Sequence, residues 1–360
     1  MSAAFSNLAI VAGVAGMFLL LIGPHEFGHF IFAKWFKVRV IEFSIGAGPQ
    51  IWSWVRNNTL YSLRAIPVLG YVRMGGMEAG DFGDPNGFHT KPAWQRLLIL
   101  AGGPAANFLF AILLITAYDL TQLNDVPGKV INVLPNSPAA AAGIQPGDQL
   151  RTVDGRPITS PDQLRNIENK APNAAIALGG VHASGQPFDV IVTPHCVVDK
   201  AATTCQVGVS ARWEVVTVAD ALKNGVTFPY NAIKNIYQGM VELVTGKVPG
   251  GLLGPNGVTG PIGIGDVAYQ AVSLGLETYI PIVALLSVAL GFTNLLPLLA
   301  LDGGRMVVVL VEVVRRRPFD RTMELNFQRA GLVVLLGLAA VISYLDLERI
   351  ASGQFPGLTR

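Results

Sequence analysis

Apolar residues run along this chain in long blocks, with stretches of mixed polarity between them. The first block starts near Phe5 and meets no charged residue before Glu26. Uncharged blocks follow at 97–118, at 278–301 and at 330–345. Each is close to the roughly 20 residues that a helix needs to cross a bilayer. The pattern predicts four transmembrane helices, within 1–36, 97–118, 278–304 and 330–346. Met1 to Phe5 carries no Lys or Arg, so the first block lacks the basic start of a cleaved leader and is expected to be a span.

Between the blocks the periodicity changes. In the connector 37–96, Leu60–Ile66 and Tyr71–Met74 alternate as short strands, broken by Pro67 and Gly70 and ended by Gly75-Gly76. This pattern fits a small sheet dipping toward the membrane or an ordinary surface hairpin. The stretch 128–212 has the punctuation of a small α+β domain. Ser137 caps a short helix that Gly143 stops, and a strand at 149–153 ends in Asp154-Gly155, a hairpin signal. Ser160 caps a helix over 161–170, and strands at 174–181 and 187–193 turn around Ser184-Gly185. In 213–277, apolar residues recur at helical spacing from Val218 to Thr245, with a kink expected at Pro229. A Gly/Pro-rich loop is expected over 247–265, and a basic segment over 305–329.

Composition sharpens this picture. The chain has 360 residues, 51% hydrophobic and 14% charged, with a mean hydropathy of +0.46. A soluble domain is nearer a quarter charged. The fold class expected is therefore a polytopic α-helical membrane protein with an inserted domain. The net charge of +2, without basic–aromatic interleaving, argues against a nucleic-acid partner. Lys and Arg crowd 37–96 and 305–329, which places both on the cytoplasmic side. The termini and the 128–212 domain then lie outside.

Candidate chemistry sits inside the first block, as His25-Glu26-Phe27-Gly28-His29. Residues four apart share a helix face, so both imidazoles can reach one metal ion with Glu26 beside it as a base. Ionisable groups in an apolar helix cost several kcal/mol and are functional by default. Catalytic zinc usually has three protein ligands. The third candidate is Asp302, at the end of the third block, where Pro297 and Gly303-Gly304 are expected to break the helix. Asp302 could instead cap a helix or pair near Arg305. Both halves of such a site would lie in the cytoplasmic half of the membrane. Asn107, within the small-residue run Ala101–Asn107, either packs helices or hydrogen-bonds toward the site. Cys196 and Cys205, outside the cytoplasm, read as a disulfide or as two free thiols.

Ile144–Leu150 followed by Val153-Asp154-Gly155 resembles a PDZ domain, a fold that adds extended peptides to a sheet edge. Together with HEFGH, GPIGI (260–264) and NLLPLLALDGGR (294–305), the chain resembles the site-2 protease family, in its bacterial regulated-intramembrane-proteolysis branch. The resemblance implies zinc held by His25, His29 and Asp302, Glu26 as catalytic base, and Asn294 as a substrate-binding residue. It also implies a membrane-reentrant β region in 37–96, one PDZ-like domain binding a peptide or C-terminus, and location in the bacterial cytoplasmic membrane. The implied substrates are single-span membrane proteins already trimmed outside, such as anti-sigma factors or signal-peptide remnants. A non-catalytic PDZ-bearing membrane adaptor with a structural metal site is the alternative, and a zinc transporter a weaker one. Neither needs a base between two ligands, and transport would want more ionisable groups in the other spans.

Overall fold

The computed structural model describes residues 3–353 and 355, apart from 124, 171–173, 200–201, 214, 249–250, 252–253 and 255–256. Among these residues four helices are long and apolar enough to cross a membrane: α1 (Ala3–Trp35), α2 (Ala93–Leu120), α7 (Leu276–Leu295) and α9 (Arg321–Ala351). Shorter or more polar helices stand between them: α3 (Pro138–Ala141), α4 (Pro161–Lys170), α5 (Val218–Val244), α6 (Pro261–Ser273) and α8 (Asp302–Arg315).

The connector after α1 is a sheet of two long, bent strands, β1 (Val40–Arg56) and β2 (Thr59–Met74). Residues 42–45 of β1 pair with 60–63 of β2 on one side and with 70–73 on the other, while 50–56 pair with the opposite face of the 59–64 segment. Across the sheet the order is therefore 50–56, 59–64, 40–47, 70–74. The bend in β1 falls at Gly46, where φ is 94° and a Cβ would lie 2.8 Å from the Arg64 carbonyl oxygen. The strands are much longer than the alternation suggests. Pro67 does not interrupt β2, because it sits in the bend between its two paired segments, where no ladder N–H is required.

The insert 128–212 is built around a sheet ordered β10 (Val209–Arg212), β3 (Lys129–Val133), β4 (Gln149–Val153), β6 (Ile176–Val181), β7 (Pro187–Val192), with the short β5 (Arg156–Pro157) on β4. Val130, Leu150, Val153, Leu178 and Val207 form its core. Ser137 Oγ accepts from the Ala140 N–H and caps α3. A separate hairpin of β8 (His195–Asp199) and β9 (Ala202–Gln206) puts Cys196 opposite Cys205, joined as a disulfide. The domain is tied to the helices where the Arg212 guanidinium donates to Tyr118 Oη at 3.1 Å, and Tyr118 in turn donates to Glu277 at 2.6 Å.

Several boundaries differ from the pattern. The third span ends at Leu295, because Leu296 turns extended and Pro297 follows it. Gly303 and Gly304 do not break a helix. They lie in the first turn of α8, where a Cβ would fall 2.2 Å from the carbonyl oxygens of Leu296 and Leu298 respectively. The basic segment is divided between the end of α8, stopped by Arg316 in the left-handed conformation (φ 54°), and the start of α9. The fourth span then starts at Arg321, with Asp320 accepting from the Met323 N–H as its cap. Residues 261–265, expected as loop, open α6 with Pro261 in its first turn. The stretch before them lies partly outside the described residues. α5 runs on through Pro229, whose ring is buried.

At the end of the bundle nearest the first connector, one carboxylate joins three elements. Glu312 of α8 accepts from Arg96 of α2 at 2.6 Å, from Arg321 of α9 at 2.7 Å and from the Phe319 N–H at 2.8 Å. Burial alone would push this carboxyl up, but the Phe319 N–H and the Arg96 and Arg321 charges outweigh it and hold it below its ordinary value. The Arg96 side chain is 9% exposed and that of Glu312 5%. Removing the carboxylate strands a buried guanidinium, which costs about 3–5 kcal/mol. Glu312→Ala should lose stability of that order in chemical unfolding in mixed micelles, whereas Arg316→Ala, outside the cluster, should change little.

Candidate metal centre

α1 carries His25, Glu26 and His29 through the helix turn that follows Pro24. Both histidines are buried, at 8% and 7% exposure. Their rings meet edge to face at 4.9 Å between centroids, and their Nε2 atoms are 3.3 Å apart. Asp302 reaches them from the start of α8, with Oδ2 at 3.2 Å from each Nε2. The short loop between α7 and α8 makes this possible. It doubles back through Ala300 in a positive-φ conformation (77°), uncommon for a residue with a Cβ, and the two glycines after Asp302 let the loop pack on the new helix.

The donor set fits a divalent cation. One ligand atom from each of His25, His29 and Asp302 lies within 4.8 Å of the others. Asp302 Oδ2 is enclosed and has no hydrogen-bond donor. Two imidazole nitrogens and a carboxylate oxygen converge on one point, and two histidines with one carboxylate are a known catalytic zinc set. His29 Nδ1 donates to the Ile99 carbonyl oxygen at 2.8 Å, which leaves its Nε2 bare toward the centre.

Room for the site comes from three glycines. A Cβ on Gly28 would lie 2.0 Å from the Gly102 oxygen, so α1 and α2 cross in backbone contact there. A Cβ on Gly103 would lie 2.4 Å from His29 Nε2 and 2.9 Å from His25 Cε1. Gly103 therefore keeps clear the space into which the imidazoles point. On the far side a Cβ on Gly70 of β2 would lie 2.9 Å from Glu26 Cγ. The outer segment of the sheet passes directly over the candidate base.

His25, Glu26, His29, Gly70 and Asp302 line a cleft of about 510 Å³ that also takes in Tyr71, Arg73, Asn294 and Arg305. Asn294 stands on the last turn of α7, its amide donating to the Leu290 oxygen at 3.1 Å. His25, Glu26, His29, Asp302 and Asn294 thus come to one cleft. Cys196 and Cys205 lie apart, in the inserted domain. In the sequence Gly103 reads only as a small residue for packing, Tyr71 and Arg73 only as strand residues, and Arg305 only as the end of the 294–305 motif and a pairing partner near Asp302. The one available signal was the small-residue run 101–106, whose spacing against the histidines is not visible in one dimension.

A model described as peptidase family M50 matches residues 13–338. The chain belongs to that family. A Fusobacterium nucleatum protein provisionally named a zinc metalloprotease is 31% identical over 337 residues, covering 92% of this chain and 96% of its own. One from Clostridium perfringens with the same provisional name is 30% identical over 339 residues, with 92% and 96% coverage. Among solved structures, the PDZ domain of an SdrC-like protein from Listeria innocua aligns with 25% of this chain and 99% of its own, at 16% identity and a TM-score of 0.21. That is too slight a likeness to carry an argument. The M50 chain is a membrane zinc metalloprotease of the site-2 type.

Gly103→Ala in this M50 chain should weaken zinc binding at least tenfold, because the new methyl occupies the space in front of His29 (outer-shell changes at metal sites typically cost ~10–100-fold). Gly23→Ala is the matched control, since a Cβ there meets nothing within 4 Å. Chelator competition on the two purified variants compares them.

Proposed function

We propose that His25, His29 and Asp302 hold the zinc, that Glu26 is the general base, and that the enzyme cuts within the transmembrane segment of single-span proteins already trimmed outside. The observation that carries this is the position of Glu26 between the ligand cluster and a sheet edge. Residues 70–74 pair with β1 on one side only among the described residues, and their other side borders the cleft. When bound, zinc supplies a Lewis acid and lowers the pKa of water to about 7.

The chain's own residues would do the rest. A substrate helix has its amides hydrogen-bonded internally and must unwind before any of them can be attacked. Strand addition along 70–74 would accept the freed backbone, and the Asn294 amide, at the cleft wall, would hold the strand from the α7 side. Glu26 takes a proton from the attacking water and passes it to the departing amine nitrogen. Gly70 allows the substrate backbone and the Glu26 carboxylate to share this narrow space.

Orientation follows from the cationic connectors, with the Glu312 cluster and the cleft mouth toward the cytoplasm and the 128–212 domain outside. In that domain a cleft of about 370 Å³ runs between β10, at the end of the sheet, and Leu164 and Arg165 of α4. It would take an extended chain end as an added strand, in the manner of a PDZ domain. The trimmed outer end of a substrate is such an end. This makes the protein the second cutter in regulated intramembrane proteolysis at the bacterial cytoplasmic membrane.

The test is cleavage of a tagged single-span model substrate by purified protein in detergent, beside Glu26→Gln and a chelator-treated sample. The expected result is product from the native enzyme, with at least a hundredfold loss in the variant, as for removal of a general base, and product restored to the treated sample by added zinc. Equal product from native enzyme and Glu26→Gln would sink the assignment of the base. Cuts mapping outside the apolar segment would sink the intramembrane reading.

A further inference from the structure

The two histidines are held in different ways on the side away from the centre. His29 is fixed by a main-chain carbonyl, that of Ile99, which any residue would supply. Among the described residues His25 has no such main-chain partner. Its Nδ1 faces the side-chain amide of Asn107, two turns further along α2, at 3.5 Å from Nδ2. Asn107 is fully buried, and its Oδ1 is enclosed without a hydrogen-bond partner. α7 pins it in place. Ser287 Oγ donates to the Asn107 main-chain oxygen at 3.0 Å, and a Cβ on Gly291 would meet the Asn107 Cβ at 3.3 Å.

We propose that Asn107 is a positioning residue for His25, its side-chain oxygen accepting from Nδ1–H so that Nε2 stays bare toward the metal. The inference rests on His25 being a ligand through Nε2, the atom that lies 3.2 Å from Asp302. A neutral imidazole that offers Nε2 to a metal carries its proton on Nδ1, so Nδ1 is a donor. A donor set against the amide NH₂ is a mismatch. A half-turn of the amide exchanges oxygen and nitrogen at almost no steric cost. It brings the oxygen, unpartnered in its other placement, onto the Nδ1 proton. Imidazole ligands to metals commonly donate their second N–H in this way, which fixes both tautomer and ring angle. α2 thus orients both histidines, one by its backbone and one by a side chain, and only the second can be removed by substitution.

The experiment is zinc affinity by chelator competition on full-length protein in detergent, for the native chain, Asn107→Asp, Asn107→Leu and, as a control, Gly23→Ala, where a Cβ meets nothing within 4 Å. Asp keeps an acceptor for Nδ1–H. Leu keeps the bulk and removes the acceptor. The expected result is Asp within about threefold of native, Leu weaker by ~10–100-fold, as for loss of an outer-shell partner, and Gly23→Ala within about twofold. If Asn107 serves only packing, the order of the first two reverses, because a buried charge is worse than an isosteric alkyl group. Leu binding as tightly as native, or Asp losing as much as Leu, overturns the proposal. Should the Leu variant not fold, Asn107→Ala takes its place with the same expectation. A native protein that binds no zinc at all would remove the site, and this proposal with it, whereas native binding with no effect at residue 107 removes the proposal alone.

Discussion

The molecule depends on the backbone contact between α1 and α2 at Gly28 and Gly102. In lipid no hydrophobic force draws two apolar helices together, so close association relies on packing and on small residues that let main chains touch. Here the contact sets the register between the helices. With Gly28 against Gly102, His29 falls opposite the Ile99 carbonyl and His25 opposite Asn107. Any side chain at either glycine would move the imidazoles by more than the tolerance of a metal site. The next residue, Gly103, shows how little spare room remains.

Asp302 completes the cluster from another part of the chain, and its placement uses a second device. A helix that ran on past Leu295 would carry Asp302 about two turns further along its axis. The chain instead stops, folds back and starts α8 at Asp302. The carboxylate then sits at a helix N-terminus, where the peptide dipoles favour negative charge, with an added cation close by in Arg305. The far end of α8 is held by Glu312 between Arg96 and Arg321. The helix bearing Asp302 thus meets the α1 histidines at one end and is tied to α2 and α9 at the other. Rigid support of this kind keeps ligand geometry within the narrow limits that catalysis requires.

The sequence made some of this plain and hid the rest for physical reasons. The four spans are legible because crossing a bilayer demands long uncharged runs. HEFGH is legible because two ligands and a base can share one helix turn. Asp302 is legible as the remaining carboxylate at the end of a span, although the helix there starts where a break was expected. Gly303 and Gly304 misled because glycine serves chain breaks and close contacts alike. The same ambiguity hid α6 behind Gly260-Pro261, a pair that reads as loop and here begins a helix whose N–H groups at Gly260 and Gly263 reach Asp346. The long strands β1 and β2 were underestimated because a bent strand pairing on both sides of another does not keep one face buried, so its alternation fades. Asn107 is legible only as a choice between packing and a hydrogen bond toward the site, and Gly103 not at all, because each meets a histidine some 75 to 80 positions away, a relation that no local pattern contains.

A sheet beside a metal centre among membrane helices needs a physical reason. A peptide bond can be attacked only after its segment leaves the helix, and each backbone group then left bare in an apolar setting costs several kcal/mol. On the proposed reading, the 70–74 edge offers replacement partners at the place where bonds are broken, so the unwound state is stabilised only beside Glu26. A site deeper in the helical bundle would have no such partners to offer. A site outside the membrane would not need them. The sheet edge, the glycine that lets it pass over the base, and the two-helix contact that fixes the histidines are then parts of one requirement. Water, a bare peptide strand and a metal must meet at a depth where none of them is stable alone.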